Sequence, residues 1–165
     1  MNMQGNFSCS ARIQMEDGTQ RAACDVRIGD RIMTFSQAAR IRNVITFYEN
    51  QGIQIVLETG NVLQCTSGLP VQLAEGNWTA ALNIKPGVRL MHYGSPTSVC
   101  VVRVQQTDVE LKFTNFLLEE GDSVIAEGLH IGAWDKQVEV EEDFLNCRKE
   151  SEDINKRIAE LKELL

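Results

Sequence analysis

Along this chain the apolar positions fall in short runs broken by polar residues and turn formers. β-Branched, aromatic or alternating residues predict strands at 12–15, 26–28, 31–35, 44–48, 53–58, 62–66, 71–74, 89–92, 98–105, 109–112, 115–118 and 123–126. Turn signals separate them, among them Asp17-Gly18, Gly29-Asp30, Gly60-Asn61, Pro86-Gly87 and Gly121-Asp122. Many short strands with close turns predict an all-β sandwich or closed β architecture. A parallel sheet would need helical crossovers, and the body of the chain has no stretch for them. Its one expected helix is a single turn at 78–82, with Trp78 and Leu82 on one face. No period of roughly 20 to 50 residues repeats, which argues against solenoids and propellers.

The pattern changes at the carboxyl end. From Val138 to Leu165 there is no Gly or Pro, and Val140, Phe144, Cys147, Ser151, Ile154, Ile158, Leu161 and Leu165 recur at steps of four and three. That is the stagger of a coiled-coil seam and predicts a C-terminal α-helix. Glu152 with Lys156 and Asp153 with Arg157 add acid-before-base pairs four apart. A stripe of this kind serves either to cover a β face or to meet a second copy. The row is narrow and rimmed by Glu150, Arg157, Glu160 and Lys162, which favours a homo-oligomer through Phe144, Cys147, Ile154, Ile158, Leu161 and Leu165. The expected organisation is a β domain over 1–133 and a helical segment over 134–165.

Composition narrows the function classes. A chain of 165 residues, 43% hydrophobic, can bury one ordinary core and an appendage. The formal charge of −7 and the lack of any basic run oppose a nucleic-acid partner, since duplex affinity comes mostly from neutralising phosphates. No charged-then-apolar leader and no bilayer-length apolar window is visible, so a cytoplasmic protein without a membrane partner is expected. Cysteines at 9, 24, 65, 100 and 147 form an odd, dispersed set, which reads as reduced thiols. There is no Cys-x-x-Cys, and His92 and His130 lack partners at ligand spacing, so neither metal nor cofactor is expected. His130, within Leu129-His130-Ile131, reads as a structural histidine on a strand, outward-facing or hydrogen-bonded.

Three stretches carry a resemblance. They are FSCSARIQMEDGTQRAACDVRIGDRI at 7–32, GNVLQCTSGLPVQLAEGNWTAALNIKPGVRL at 60–90 and FTNFLLEEGDSVIAEGLHIG at 113–132. In order and spacing they resemble the Hint domain shared by inteins and the processing domain of hedgehog proteins, a fold of many short strands. The resemblance implies an acyl shift at the start of the domain. A thiol or hydroxyl attacks the preceding carbonyl, a His protonates the departing nitrogen, and a terminal Asn cyclises.

At the positions that match those roles this chain carries other groups. Asn6 stands where the nucleophile belongs, seven positions before Ile13. Thr66 keeps its place in the Thr-x-x-His motif, but Leu69 replaces the His. Gly132 and Ala133 align with the terminal His-Asn, and Gly87-Val88 replaces a recurring Gly-Asp. A carboxamide, an isobutyl group and a methyl group cannot perform those steps. The resemblance then implies a silent Hint-like domain acting as a structural or interaction module. The competing reading is autoprocessing, divergent or inactivated by substitution, with Cys9 as an alternative nucleophile. Cys9 would need a three-residue slip that reverses the strand's faces, and an electropositive neighbour to become a thiolate. A ligand in the vacated site between the first two blocks is a third possibility, though no polar constellation names one.

Overall fold

The computed structural model describes residues 5–134. The expected C-terminal helix, its seam from Val140 to Leu165 and the 134–165 segment beyond Trp134 lie outside the described residues. Within them the chain is all-β: β1 (Phe7–Ser8), β2 (Arg12–Gln14), β3 (Gln20–Ala22), β4 (Arg31–Met33), β5 (Ala38–Glu49), β6 (Gly52–Leu57), β7 (Val62–Cys65), β8 (Pro70–Gln72), β9 (Trp78–Ala80), β10 (Arg89–Met91), β11 (Ser98–Thr107), β12 (Leu111–Leu118), β13 (Ser123–Ala126) and β14 (Leu129–Gly132). They build two sheets, ordered β10-β11-β6-β7-β1-β12-β5-β4 and β3-β2-β13-β14-β8-β9, with antiparallel pairing throughout. Their apolar faces share one core in which Phe7, Ile13, Ile55, Leu63, Leu90 and Ile131 are fully buried.

The two sheet orders are palindromic. Exchanging β1 with β7, β2 with β8, β3 with β9, β4 with β10, β5 with β11 and β6 with β12, and swapping the hairpin partners β13 and β14, reverses each sequence of strands onto itself. Outside the β13–β14 hairpin the exchange corresponds to a shift of about 58 residues, the difference between Ile13 and Val71. Hydrogen bonds repeat under it: Met15 N–H to Thr19 O and Leu73 N–H to Asn77 O, both at 2.8 Å, and, with the second acceptor displaced by two further residues, Gly29 N–H to Ile41 O and Gly87 N–H to Val101 O, again both at 2.8 Å. Bridges Met15↔Ile32 and Leu73↔Leu90 are equivalent in the same way. The domain is an approximate twofold duplication, and at its centre β1 and β7 pair through Phe7 and Cys65, themselves one shift apart.

Three expectations of local structure are corrected. Residues 78–82 form no α-turn: β9 pairs with β8 through Trp78↔Gln72, and a 3₁₀ turn at Ala81–Asn83 follows. Hairpin closure overrides the short i, i+4 apolar pair, because one turn of helix is a costly nucleus. Residues 26–28 are not a strand, since Val26 ends the equivalent 3₁₀ turn at Ala23–Asp25 and Ile28 is exposed. The runs at 109–112 and 115–118 merge into β12, which pairs continuously with β5 from Leu111 to Leu117. The Glu127-Gly128 turn joining β13 to β14 lies in left-handed conformation, at φ 51° and 77°. There Glu127 accepts from the Arg12 backbone N–H at 3.0 Å and pairs with its guanidinium at 3.1 Å, clamping the hairpin to β2.

Candidate functional site

The centre of the duplication holds one peptide bond from both sides. The Gly5 carbonyl accepts from Asn115 Nδ2 at 3.0 Å, and the Asn6 N–H donates to Thr66 Oγ1 at 2.8 Å. The Asn6 carbonyl accepts in turn from the Thr66 N–H at 2.9 Å. Asn115 is fully buried in the middle of β12 and is oriented by its own ladder, its Oδ1 accepting from the Phe116 N–H at 2.7 Å. A fixed donor on a carbonyl oxygen is the geometry that stabilises charge developing there.

Gly5 is the residue this approach requires. A Cβ at that position would lie 2.6 Å from Thr66 Oγ1 and 2.7 Å from the Gly68 carbonyl carbon. A cavity of about 420 Å³ opens beside the peptide, lined by Gly5, Asn6, Thr66, Thr107, Leu82 and Trp134 among others, with Glu49 and Asp108 also on its wall. Asn6 Oδ1 is buried there without a hydrogen-bond partner, and so is Thr107 Oγ1. Trp134, just after the end of β14, stacks on Phe47 with ring centroids 6.1 Å apart. The amino-terminal and carboxyl-terminal edges of the described residues therefore reach the same cavity.

Of the positions singled out in sequence, Asn6 and Thr66 meet directly. Leu69 follows in the same loop with its N–H on the Thr66 carbonyl at 3.3 Å, and its side chain is fully buried in the core. Ala133 is buried next to Trp134, its N–H donating to Asp122 O at 2.9 Å, while Gly132 pairs with Ser123. Cys9 is elsewhere, in the turn after β1, with its backbone bonded to Lys112 and Cys24. Burial raises its thiol pKa, with the Lys112 charge acting against that and the neighbouring Cys24 adding to it. Cys65 lies under the site, and complete burial pushes its thiol up to about 12. The four cysteines among the described residues are free thiols. No group of His, Cys, Asp and Glu able to hold a metal occurs among the described residues.

Sequence reasoning missed Asn115, Thr107 and Trp134. Asn115 had a signal: it is the one carboxamide inside the apolar run Phe113 to Leu118, and such a group, once buried, must be bonded.

Neither a family model nor a curated protein matches the sequence. Solved structures do match. The gp41-1 intein aligns over 79% of this chain and 98% of its own, at 14% identity and a TM-score of 0.66. The Ssp DnaB mini-intein variant M86 aligns over 81% and 96%, at 11% identity and 0.69. This is the intein fold. A bacterial intein-like domain from Clostridium thermocellum shares it, over 81% of this chain and 99% of that one, at 12% identity and 0.67. The Hint-like resemblance read from the three sequence blocks is thus a resemblance in three dimensions, and the intein fold accounts for the all-β architecture. Among the described residues no helix is long and apolar enough to cross a membrane.

Proposed function

We propose that this Hint-like domain does not rearrange its backbone and serves as a structural or protein-interaction module. One observation carries the reading. The Gly5–Asn6 peptide is held at its oxygen by Asn115 and at its nitrogen by Thr66, while the side chain at position 6 is a carboxamide. An amide nitrogen whose lone pair is delocalised is a poor attacker of a neighbouring carbonyl. Leu69, in the loop that would supply a proton, has no ionisable group. Polarisation of the bond without an attacker or an acid leaves it intact.

In this reading the chain is a cytoplasmic scaffold that needs neither metal nor cofactor, and its 134–165 segment mediates self-association through Phe144, Cys147, Ile154, Ile158, Leu161 and Leu165. The competing function is intein- or hedgehog-type autoprocessing, favoured by the retained Thr66 and Asn115 contacts and dependent on Cys9 as attacker. Intact mass of the purified chain after prolonged incubation with dithiothreitol separates the two. An unchanged mass is expected, and a fragment cut before Asn6, before Cys9 or after Ile131 would end the scaffold reading. Light scattering on the full chain and on one ending at Asp135 tests assembly, with loss of the oligomer expected on truncation.

A further inference from the structure

The cavity beside the Gly5–Asn6 peptide contains two polar groups that the fold leaves unused. Asn6 is only 8% exposed, yet its Oδ1 has no hydrogen-bond partner among the described residues, and neither has the buried Thr107 Oγ1. Both residues line the same cavity. They belong to the same end of it: Thr107 pairs with Gly52 between β11 and β6, and a Cβ added at Gly52 would lie 3.2 Å from Thr107 Oγ1 and 3.3 Å from the carbonyl of Cys65, the residue before Thr66. Buried polar atoms in folded chains are ordinarily bonded, so an orphaned pair on one cavity wall marks a place for hydrogen-bonding groups from outside.

The rim tells which groups. It is formed where β5 turns into β6 and where β11 ends, and there Glu49 and Asp108 are both exposed, so the cavity is reached from solvent on that side. Neither carboxylate is in a salt bridge among the described residues, and no Lys, Arg or His of those residues lines the cavity. A carboxamide oxygen only accepts, so the group that satisfies Asn6 Oδ1 must be a donor, and the two carboxylates select a positive one.

Shape decides between cations. Phe47 and Trp134 stack on the same wall at an interplanar angle of 18° and present flat aromatic surface. A guanidinium is planar, permanently charged, able to lie on an aromatic face and equipped with five N–H donors, whereas an ammonium is a compact, strongly hydrated point charge. The volume of about 420 Å³ is that of a pocket for a small group and not of a flat contact.

We propose that this cavity binds an arginine side chain of a partner polypeptide, its guanidinium donating to Asn6 Oδ1 and Thr107 Oγ1 with Glu49 and Asp108 supplying the opposite charge. The proposal rests on the interaction-module reading and names what the module takes.

The test is titration of the ¹⁵N-labelled full chain with N-acetyl-arginine amide, followed by NMR. Saturable shifts at the Asn6 carboxamide and the Thr107 amide are expected, with affinity falling about tenfold or more in Asn6→Leu. Glu49→Gln combined with Asp108→Asn alters only exposed side chains and keeps the question answerable if Asn6→Leu fails to fold. It should weaken binding severalfold at low salt, with the difference fading as salt is added. The citrulline analogue, which has the shape without the charge, should bind at least about tenfold more weakly. Free arginine should also bind more weakly, because its carboxylate meets the acidic rim. Shifts that do not saturate or that centre elsewhere, equal binding of citrulline or free arginine, or an unchanged affinity in the double variant would overturn the proposal. Intact mass of the same samples separates the two readings: an uncut chain that does not bind ends the arginine site alone, while a cut before Asn6 ends the interaction-module reading and this site with it.

Discussion

Asn6 and Thr66 are joined closely from both sides, by the Asn6 N–H on Thr66 Oγ1 at 2.8 Å and the Thr66 N–H on the Asn6 carbonyl at 2.9 Å, with a longer contact from Thr66 Oγ1 to that carbonyl at 3.5 Å. The hydroxyl is therefore a structural acceptor whether or not chemistry takes place. Thr66→Val keeps the shape and removes the acceptor, leaving a part-buried N–H unpaired, which costs about 1–3 kcal/mol. Urea midpoints should fall accordingly and recover in Thr66→Ser. A midpoint unmoved in Thr66→Val would show that water replaces the hydroxyl.

If the peptide is already polarised, supplying an attacker should be enough to expose the fact. Asn6→Cys is expected to render the Gly5–Cys bond cleavable by dithiothreitol, releasing the five leading residues. Adding Leu69→His should quicken that cleavage, at a stability cost of about 1–3 kcal/mol for burying a polar ring where leucine packed. A double variant that stays folded and uncut would mean that Asn115 and Thr66 grip the bond without activating it.

At Gly5 the constraint is steric. Thr66 Oγ1 and the Gly68 carbonyl carbon occupy the space a methyl group would need, so Gly5→Ala must push the 66–69 loop away. A loss of about 1–3 kcal/mol is expected, with amide chemical-shift changes concentrated at 66–69. Changes confined to residue 5 and its sequence neighbours would contradict the close approach.

The thiols predict a dependence on alkali. Cys65 is pushed from 9.0 to about 12 in the folded domain by burial, so between those values the unfolded chain ionises there and the folded one does not. Stability from this group is whole below about pH 9 and is lost progressively as pH climbs toward 12. Urea midpoints of the parent should drop across that window more steeply than those of Cys65→Ala. In the native state iodoacetamide should modify exposed Cys24 first, half-buried Cys9 slowly because its pKa is raised, and Cys65 only on unfolding.

Phe7 and Phe116 meet edge to face with centroids 5.3 Å apart, both fully buried, where β1 is inserted between β7 and β12. Phe116→Ala should cost about 3–5 kcal/mol. Because β1 is so short, hydrogen exchange at Phe7 and Ser8 should rise more than exchange in β6 and β11.

Much of this was legible in the chain itself. Gly-bearing turns and alternating runs marked most strands, since period two and a left-handed glycine are local properties. β1, β3 and β9 were not marked: Phe7–Ser8 and Gln20–Ala22 have no alternation of their own and become strands only because neighbours supply partners. The duplication has a longer period than the roughly 20 to 50 residues of the common repeat families, and only short stretches such as Ile13-Gln14-Met15 and Val71-Gln72-Leu73, or Arg31-Ile32-Met33 and Arg89-Leu90-Met91, still display it. At the candidate site Asn6 and Thr66 were found through the spacing of the blocks. Asn115 and Trp134 were not, because what recruits them is the convergence of β12 and the end of β14 on β1.

The palindromic sheets carry a historical implication. A single copy of the repeated unit would offer half of its central seam to an identical neighbour, and two such short polypeptides meeting about the axis would enclose the same interior. The present chain then reads as a homodimer fused head to tail, with its descendants free to drift apart. Ser8 and Thr66 occupy mirrored places in that ancestry. One hydroxyl now bonds to Ser10, in the turn just past its strand, at 2.8 Å, while the other grips the peptide bond across the join.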